Sequence, residues 1–305
     1  AVYNSMAQYE KAWEFFEKSL KIEYEIFVED DPRLATSYDS IGKLCIHIGN
    51  FETALRYFEK ALNIRKKHFP ETHSVIATSY NNIALAYQDL SDYNKAFEFY
   101  NKTLETDQQI LPENHPHLAT TYNNLSTVSI YLGNYEEALD YALKSLEIRR
   151  NAIPENHPDI AHNLTNIGYI YFKRKDYETA EKYCCQSLEI AKKSLPVNHP
   201  DLAKYYNSLS VMYQGIGDFA KALKMSEEAL KIKRNIINGN PLDIALSLVN
   251  QGGIYTSAKE YEKSSKKYEI VSPDMMCHIP HNAATITMPP LPIQSSGEKM
   301  AGLNS

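Results

Sequence analysis

The sequence is poor in cysteine: Cys45, Cys184, Cys185 and Cys277 are the four in 305 residues. That is too few, in a chain this long, for a disulfide framework. No stretch approaches the roughly 18–20 consecutive apolar residues of a membrane span, and no charged-then-apolar leader opens the chain. Concentrated basic charge is missing too. With 32 Lys and Arg against 38 Asp and Glu the net charge is -6, whereas nucleic-acid binding needs a concentrated basic face. No glycine-rich phosphate loop follows a strand pattern, because there is no strand pattern. Hydrophobic residues make up 43 %, enough for a folded chain and too many for a disordered one. The expectation is a cytoplasmic protein without cofactor, metal, nucleic-acid or membrane partner.

What is present is a repeat. Ala35, Ala77, Ala119, Ala161, Ala203 and Ala245 stand 42 positions apart. Phe51, Tyr93, Tyr135, Tyr177, Phe219 and Tyr261 keep the same interval, as do Leu62, Leu104, Leu146, Leu188 and Leu230. No insertion or deletion disturbs these columns, and self-similarity of this kind decides the fold.

Each unit reads as two helices. Leu118, Tyr122, Leu125, Val128 and Leu132 have helical spacing. Gly133-Asn134 then breaks the helix as a left-handed cap does. A second apolar stripe runs through Tyr135, Ala138, Leu139, Tyr141, Ala142, Leu146 and Ile148. Glu136 and Glu137 in its first turn and Arg149 and Arg150 in its last complement the helix dipole. Pro154 closes it, and Asn156-His157-Pro158-Asp159 opens the next. The predicted fold is all-α, with about six units starting near residues 33, 75, 117, 159, 201 and 243.

The pattern resembles the tetratricopeptide repeat, aromatic-x2-Leu-Gly-x2-Tyr followed by Ala-x3-aromatic. Here it reads Tyr38-x2-Ile41-Gly42-x2-Cys45 with Ala54-x3-Phe58, and Tyr80-x2-Ile83-Ala84-x2-Tyr87 with Ala96-x3-Tyr100. The 42-residue period, Asn-His-Pro-Asp between units and Tyr-Asn-Asn-Leu in a first helix look like the kinesin light chain and nephrocystin-3 type of array. The resemblance covers residues 1–270 and implies a right-handed superhelical solenoid, first helices concave and second helices convex. It implies a fold more firmly than a function, since such arrays serve many unrelated proteins.

The ends depart from the frame. Ala1–Ala7 align with residues 43–49, so the chain reads as a fragment starting in the last turn of a first helix. Residues 1–28 are then the C-terminal part of a cut repeat and 29–270 the array. Gln251 and Ser264 interrupt the sixth unit, and Pro273 stops its second helix. Residues 271–305 read as a disordered tail, in which Pro289-Pro290-Leu291-Pro292 suits a polyproline II ligand.

The small core position of each first helix, Gly42, Ala84, Ser126, Gly168 and Ser210, must face inward, which orients the rest of the helix. The candidate peptide groove is Lys43, Asn81, Asn82, Gln88, Asn123, Asn124, Tyr131, Asn166, Tyr169, Lys173, Lys204 and Asn207. An Asn amide suits pairing with a peptide backbone whatever its side chains, as Asn serves in peptide-binding members of the resembled family. The same amide also suits a bond to the neighbouring helix. Tyr131, Tyr169 and Phe172 suit either ligand pockets or packing between repeats. Lys43, Lys173 and Lys204 lie in different units and do not cluster around one carboxylate, so an internal peptide segment is expected.

His73, His115, His157 and His199 also recur every 42 residues. Neighbours are then roughly 20 Å apart by helix-packing distances, too far for a shared ion, so they read as turn caps. Cys184 falls on the core column of Phe58 and Tyr100 and reads as a buried hydrophobe. Cys277, His278 and His281 in the tail have no fold around them. No acid–base pair or nucleophile stands out, and no enzyme is expected in these residues. The functional expectation is a protein-interaction scaffold binding peptide segments of partners, in its specific form a cargo adaptor resembling kinesin light chain. The alternative is the recruiting arm of a larger enzyme, an ADP-ribosyltransferase or nucleotide-binding signalling protein, with its catalytic domain upstream of residue 1.

Overall fold

The computed structural model describes residues 2–235 and 241–258. Among them are twelve α-helices and no strand. They are α1 Val2–Ile26, α2 Pro32–His47, α3 Phe51–His68, α4 Ser74–Asp89, α5 Tyr93–Ile110, α6 Pro116–Leu132, α7 Tyr135–Ala152, α8 Pro158–Lys173, α9 Tyr177–Ser194, α10 Pro200–Ile216, α11 Phe219–Asn235 and α12 Pro241–Ser257. From α2 onward the even-numbered helices are the first of each pair and the odd-numbered ones the second. The described residues form two compact units, divided between Ala152 and Ile153. Within each, every helix packs against the next in sequence, in the manner of a solenoid of helix–turn–helix repeats. First helices also touch one another, α2 with α4 and α8 with α10. The tail expected over 271–305, with its Pro-rich and Cys/His motifs and the helix stop at Pro273, lies outside the described residues.

Two kinds of cap punctuate the chain. The recurrent histidines cap first helices: Nδ1 of His73, His115, His157 and His199 accepts the backbone N–H two residues on, at 3.1–3.3 Å. Asp31 does the same for α2 through its carboxylate, at 2.9 Å. Second helices are capped by Asn50, Asp92, Asp176 and Asp218, whose side chains accept the N–H three residues on. Between each first and second helix one residue takes the left-handed conformation. It is Gly49, Gly133 and Gly217 in three repeats, but Ser91 (φ 62°) and Lys175 (φ 65°) in the other two.

α1 departs from the 42-residue frame. A break is expected near residue 8, yet the helix runs unbroken from Val2 to Ile26. Ala7-Gln8 stand where the other repeats have Gly49-Asn50, Ser91-Asp92 or Gly133-Asn134. Neither residue supplies a left-handed turn or a cap, so nothing stops the helix.

Inside the hairpins, residue volumes compensate across the small column. A Cβ on Gly42 would fall 2.4 Å from the Phe58 ring, and one on Gly168 would fall 2.4 Å from Cys184 Sγ. Where neither a ring nor a thiol faces the column, a serine fills the site instead: Ser126 donates to the Ala138 carbonyl and Ser210 to that of Ala222, both at 2.8 Å. Close packing demands this pairing of small with large. In the sixth repeat Gln251 is 1 % exposed, and neither of its amide atoms finds a hydrogen-bond partner.

Candidate peptide-binding faces

Adjacent first helices meet through residues 43 positions apart, and this register decides which side chains reach solvent. In the first unit Asn82 Nδ2 donates to Asp39 Oδ1 at 3.3 Å. Asp39 is held by Arg65, Nη2 to Oδ2 at 2.6 Å, and Arg65 Nη1 donates to Ser79 Oγ at 2.6 Å. All four residues are buried. One repeat on, between α6 and α4, Asn124 Nδ2 donates to Asn81 Oδ1 at 3.5 Å, and both side chains are half-buried. Asn82 and Asn124 thus both bond the neighbouring helix. Asn124 also stays within reach of solvent, with Asn81 beside it.

The remaining first-unit candidates divide the same way. Lys43 on α2 is exposed. Tyr131 at the end of α6 is 37 % exposed, its ring stacked flat on Tyr93 with centroids 4.5 Å apart. Gln88 and Asn123 are buried. Gln88 accepts the Tyr100 hydroxyl at 3.1 Å, closing a polar pair inside the hairpin. Lys43, Asn81, Asn124 and Tyr131 therefore make the accessible set of the first unit.

In the second unit Asn166 is fully buried, whereas Asn207 is half-buried. Tyr169 stacks on Phe172 at 6.4 Å, and Lys173 Nζ lies 5.3 Å from the Tyr169 ring. The Phe172 ring rests on α10 where Gly215 leaves room, since a Cβ there would come within 2.4 Å of it. Phe172 packs between repeats, one of the two roles open to it from sequence. Lys204 is exposed and paired with Asp201 at 2.7 Å. This face is aromatic and lightly cationic, with Asn207 as its amide.

Burial pushes the Cys45 thiol up to about 11 and the Cys184 thiol to about 12, far from the thiolate form a nucleophile or ligand needs. Among the described residues no three His, Cys, Asp or Glu side chains are placed to hold a metal ion. No described helix is long and apolar enough to cross a membrane. The buried carboxylate of Asp107 bonds His117 Nδ1 at 2.7 Å and raises the imidazole above its ordinary range. The Asp39–Arg65 pair was not foreseen as such. Its one trace in the sequence is the column Arg65, Asp107, Arg149, Ala191, Lys233, which places ionisable groups on an otherwise packed position.

Comparison with known proteins agrees with this architecture. The family model for the tetratricopeptide repeat matches residues 1–67, 75–151 and 159–235, most of the chain. The chain belongs to the tetratricopeptide repeat family. No curated protein matches it. Among solved structures it is similar to BtubC (BKLC) from P. vanneervenii, with 22 % identity, TM-score 0.62, and coverage of 84 % of this chain and 98 % of that one. A Podosopora anserina putative kinesin light chain with nearly identical TPR-like repeats gives 20 % identity and TM-score 0.57, over 66 % of this chain and 96 % of that one. A Rap protein complexed with competence and sporulation factor gives 17 % identity and TM-score 0.62, over 90 % and 71 %. At these identities the likeness is one of fold.

Proposed function

We propose that the first-helix faces bind peptide segments of partner proteins, and that the face of the first unit does so through Lys43, Asn81, Asn124 and Tyr131. The observation that carries this is the Asn81–Asn124 pair. One bond joins the two amides, which leaves the Asn81 N–H groups and the Asn124 oxygen for a peptide backbone. An exposed ammonium at Lys43 and a ring at Tyr131 flank them and supply side-chain selectivity. The second unit offers the same elements in Asn207, Lys173 and Tyr169. A solenoid of this fold that was solved with competence and sporulation factor bound supports a ligand-binding role.

The finer form of the reading is a cytoplasmic cargo adaptor of the kinesin light chain kind, supported by the likeness to the Podosopora protein. The scaffold itself supplies no catalytic chemistry in this account. The test is a peptide array of diverse 15-residue segments probed with the chain and with Asn81→Ala/Asn124→Ala. The expected result is a limited set of binders that the double variant loses by at least about tenfold, or 1.4 kcal/mol. An unchanged set on a folded variant would remove the binding from this face.

A further inference from the structure

The turn between α8 and α9 carries a run of cations that the other four turns from a first to a second helix lack. Those turns read His47-Ile48-Gly49, Asp89-Leu90-Ser91, Tyr131-Leu132-Gly133 and Gly215-Ile216-Gly217, whereas this one reads Lys173-Arg174-Lys175. Two of the cations replace residues that suit the fold better. Arg174 stands where the others have Ile or Leu, and Lys175 where three of them have glycine. Lys175 takes the left-handed conformation there (φ 65°), which is strained for a residue with a Cβ.

The helix macrodipole favours Lys or Arg in a last turn, and that covers Lys173 at the end of α8 and Arg174 at its cap. It does not cover Lys175, which lies past the cap and is held against its backbone preference. Nor is its charge neutralised nearby. Lys221, in the first turn of α11, is held by Glu181 at 3.2 Å and Asp218 at 3.4 Å. Among the described residues no carboxylate comes within ion-pair distance of Lys173 or Lys175. Asp176, next in sequence, accepts the Thr179 N–H as the cap of α9. Rings hold the other two cations in place. Lys173 Nζ is 5.3 Å from the Tyr169 ring, and Arg174 Cζ is 6.0 Å from that of Tyr171. Tyr171 is itself stacked on Tyr183, with centroids 5.6 Å apart. Arg174 and Lys175 are exposed. Charged heads positioned in advance lower the ordering cost of binding.

We propose that the Lys173-Arg174-Lys175 turn is a docking site for an acidic segment of a partner protein, with Asp or Glu at alternate positions. The Cα atoms of Lys173 and Lys175, two residues apart, are separated by at most about 7 Å. An extended chain sets its same-side carboxylates about 6.8 Å apart, which meets the two ammonium groups in register. Arg174, between them, takes a further carboxylate through its planar guanidinium. A glycine at 175 would serve the fold better and the site worse, the trade expected where a residue is kept for binding. The site belongs to the second unit and shares no residue with Lys43, Asn81, Asn124 and Tyr131, so it stands or falls apart from the first-unit peptide face.

The probe is a labelled peptide of alternating Glu and Ser, with a Gln-Ser peptide as its neutral counterpart, read by fluorescence anisotropy on the full chain in about 50 mM salt. Saturable binding of the Glu peptide below about 1 mM is expected, with none of the Gln peptide. In about 1 M salt, where charges are screened beyond about 3 Å, binding should vanish. Lys175→Gly should weaken it about threefold to fivefold while the thermal midpoint rises, so lost folding cannot imitate the effect. Lys175→Gly with Arg174→Gln should weaken it by at least about tenfold. Ser91→Gly, the same backbone relief in another repeat, should leave it unchanged, as should Asn81→Ala/Asn124→Ala. Full binding by the Lys175→Gly, Arg174→Gln chain, or equal uptake of the Gln peptide, would overturn the proposal. Tighter uptake of a short oligouridine than of the Glu peptide, lost in the same variants, would also overturn it and assign the turn to single-stranded nucleic acid.

Discussion

Replacing Asp39 by alanine tests how the first repeats hold together. Asp39 and Arg65 are buried, on α2 and α3, and Arg65 also reaches Ser79 on α4, so three consecutive helices share one charge pair. Asp39→Ala leaves a buried guanidinium with only the Ser79 hydroxyl and deprives the Asn82 amide of its acceptor. Removing one partner of a buried pair costs about 3–5 kcal/mol, most of it the penalty of the charge left behind. Coupling in such arrays is between nearest neighbours, so the loss is read at the α2–α4 contact rather than along the whole chain. Urea denaturation followed by helical signal should show a lower first transition. Amide exchange across Leu34–Ile46 should quicken about a hundredfold or more, the equivalent of about 3 kcal/mol. Asp39→Leu with Arg65→Met removes both charges and should recover most of the stability. A loss below about 1 kcal/mol for Asp39→Ala, or a double variant as unstable as the single one, would refute the reasoning.

Four further outcomes follow from particular positions. Lys175→Gly relieves a left-handed residue that costs about 1–2 kcal/mol, offset by glycine's entropy of about 0.5–1 kcal/mol, so the thermal midpoint should rise slightly. Gly133→Ala (φ 81°, nothing within 4 Å of its Cβ) should lower it through backbone strain alone. Gln251→Leu replaces an unbonded buried amide with the residue type of its column, and unfolding of the second unit should become harder by about 1–3 kcal/mol. His117 is raised by Asp107; its stabilisation is complete below about pH 6.5 and is lost as pH rises through the folded-state value. His117→Gln should flatten that part of the stability profile, measured by denaturation from acid to mildly alkaline pH.

Sequence periodicity carried nearly the whole fold because each helix buries the same columns. Ala35, Phe58, Ile83 and Tyr100 had to face inward wherever their neighbours lay, and the cap residues marked where the helices end. The candidate faces were less legible, and Asn81 and Asn82 show why. They differ by about 100° around α4, and only the contact with α2 buries one and leaves the other half-open. The 42-residue period fixes a position within a hairpin, but not which side chain the next hairpin covers. Arg65 is the same lesson in reverse. Its equivalent Arg149, near the end of an amphipathic helix, reads as a dipole-complementing cation, while in the structure Arg65 crosses to Asp39. α1 failed to break for want of a residue, Gly or Asp, whose absence was visible at Ala7-Gln8.

The most direct test of the functional account is site-specific photocrosslinking to a peptide selected on the array. A benzophenone amino acid would replace Lys43, exposed on the first-helix face, or Lys60, exposed on the second helix α3. Crosslinks from position 43 and none from position 60 are what the account predicts. Crosslinking from position 60 with none from 43 would contradict it and move ligand binding to the second helices.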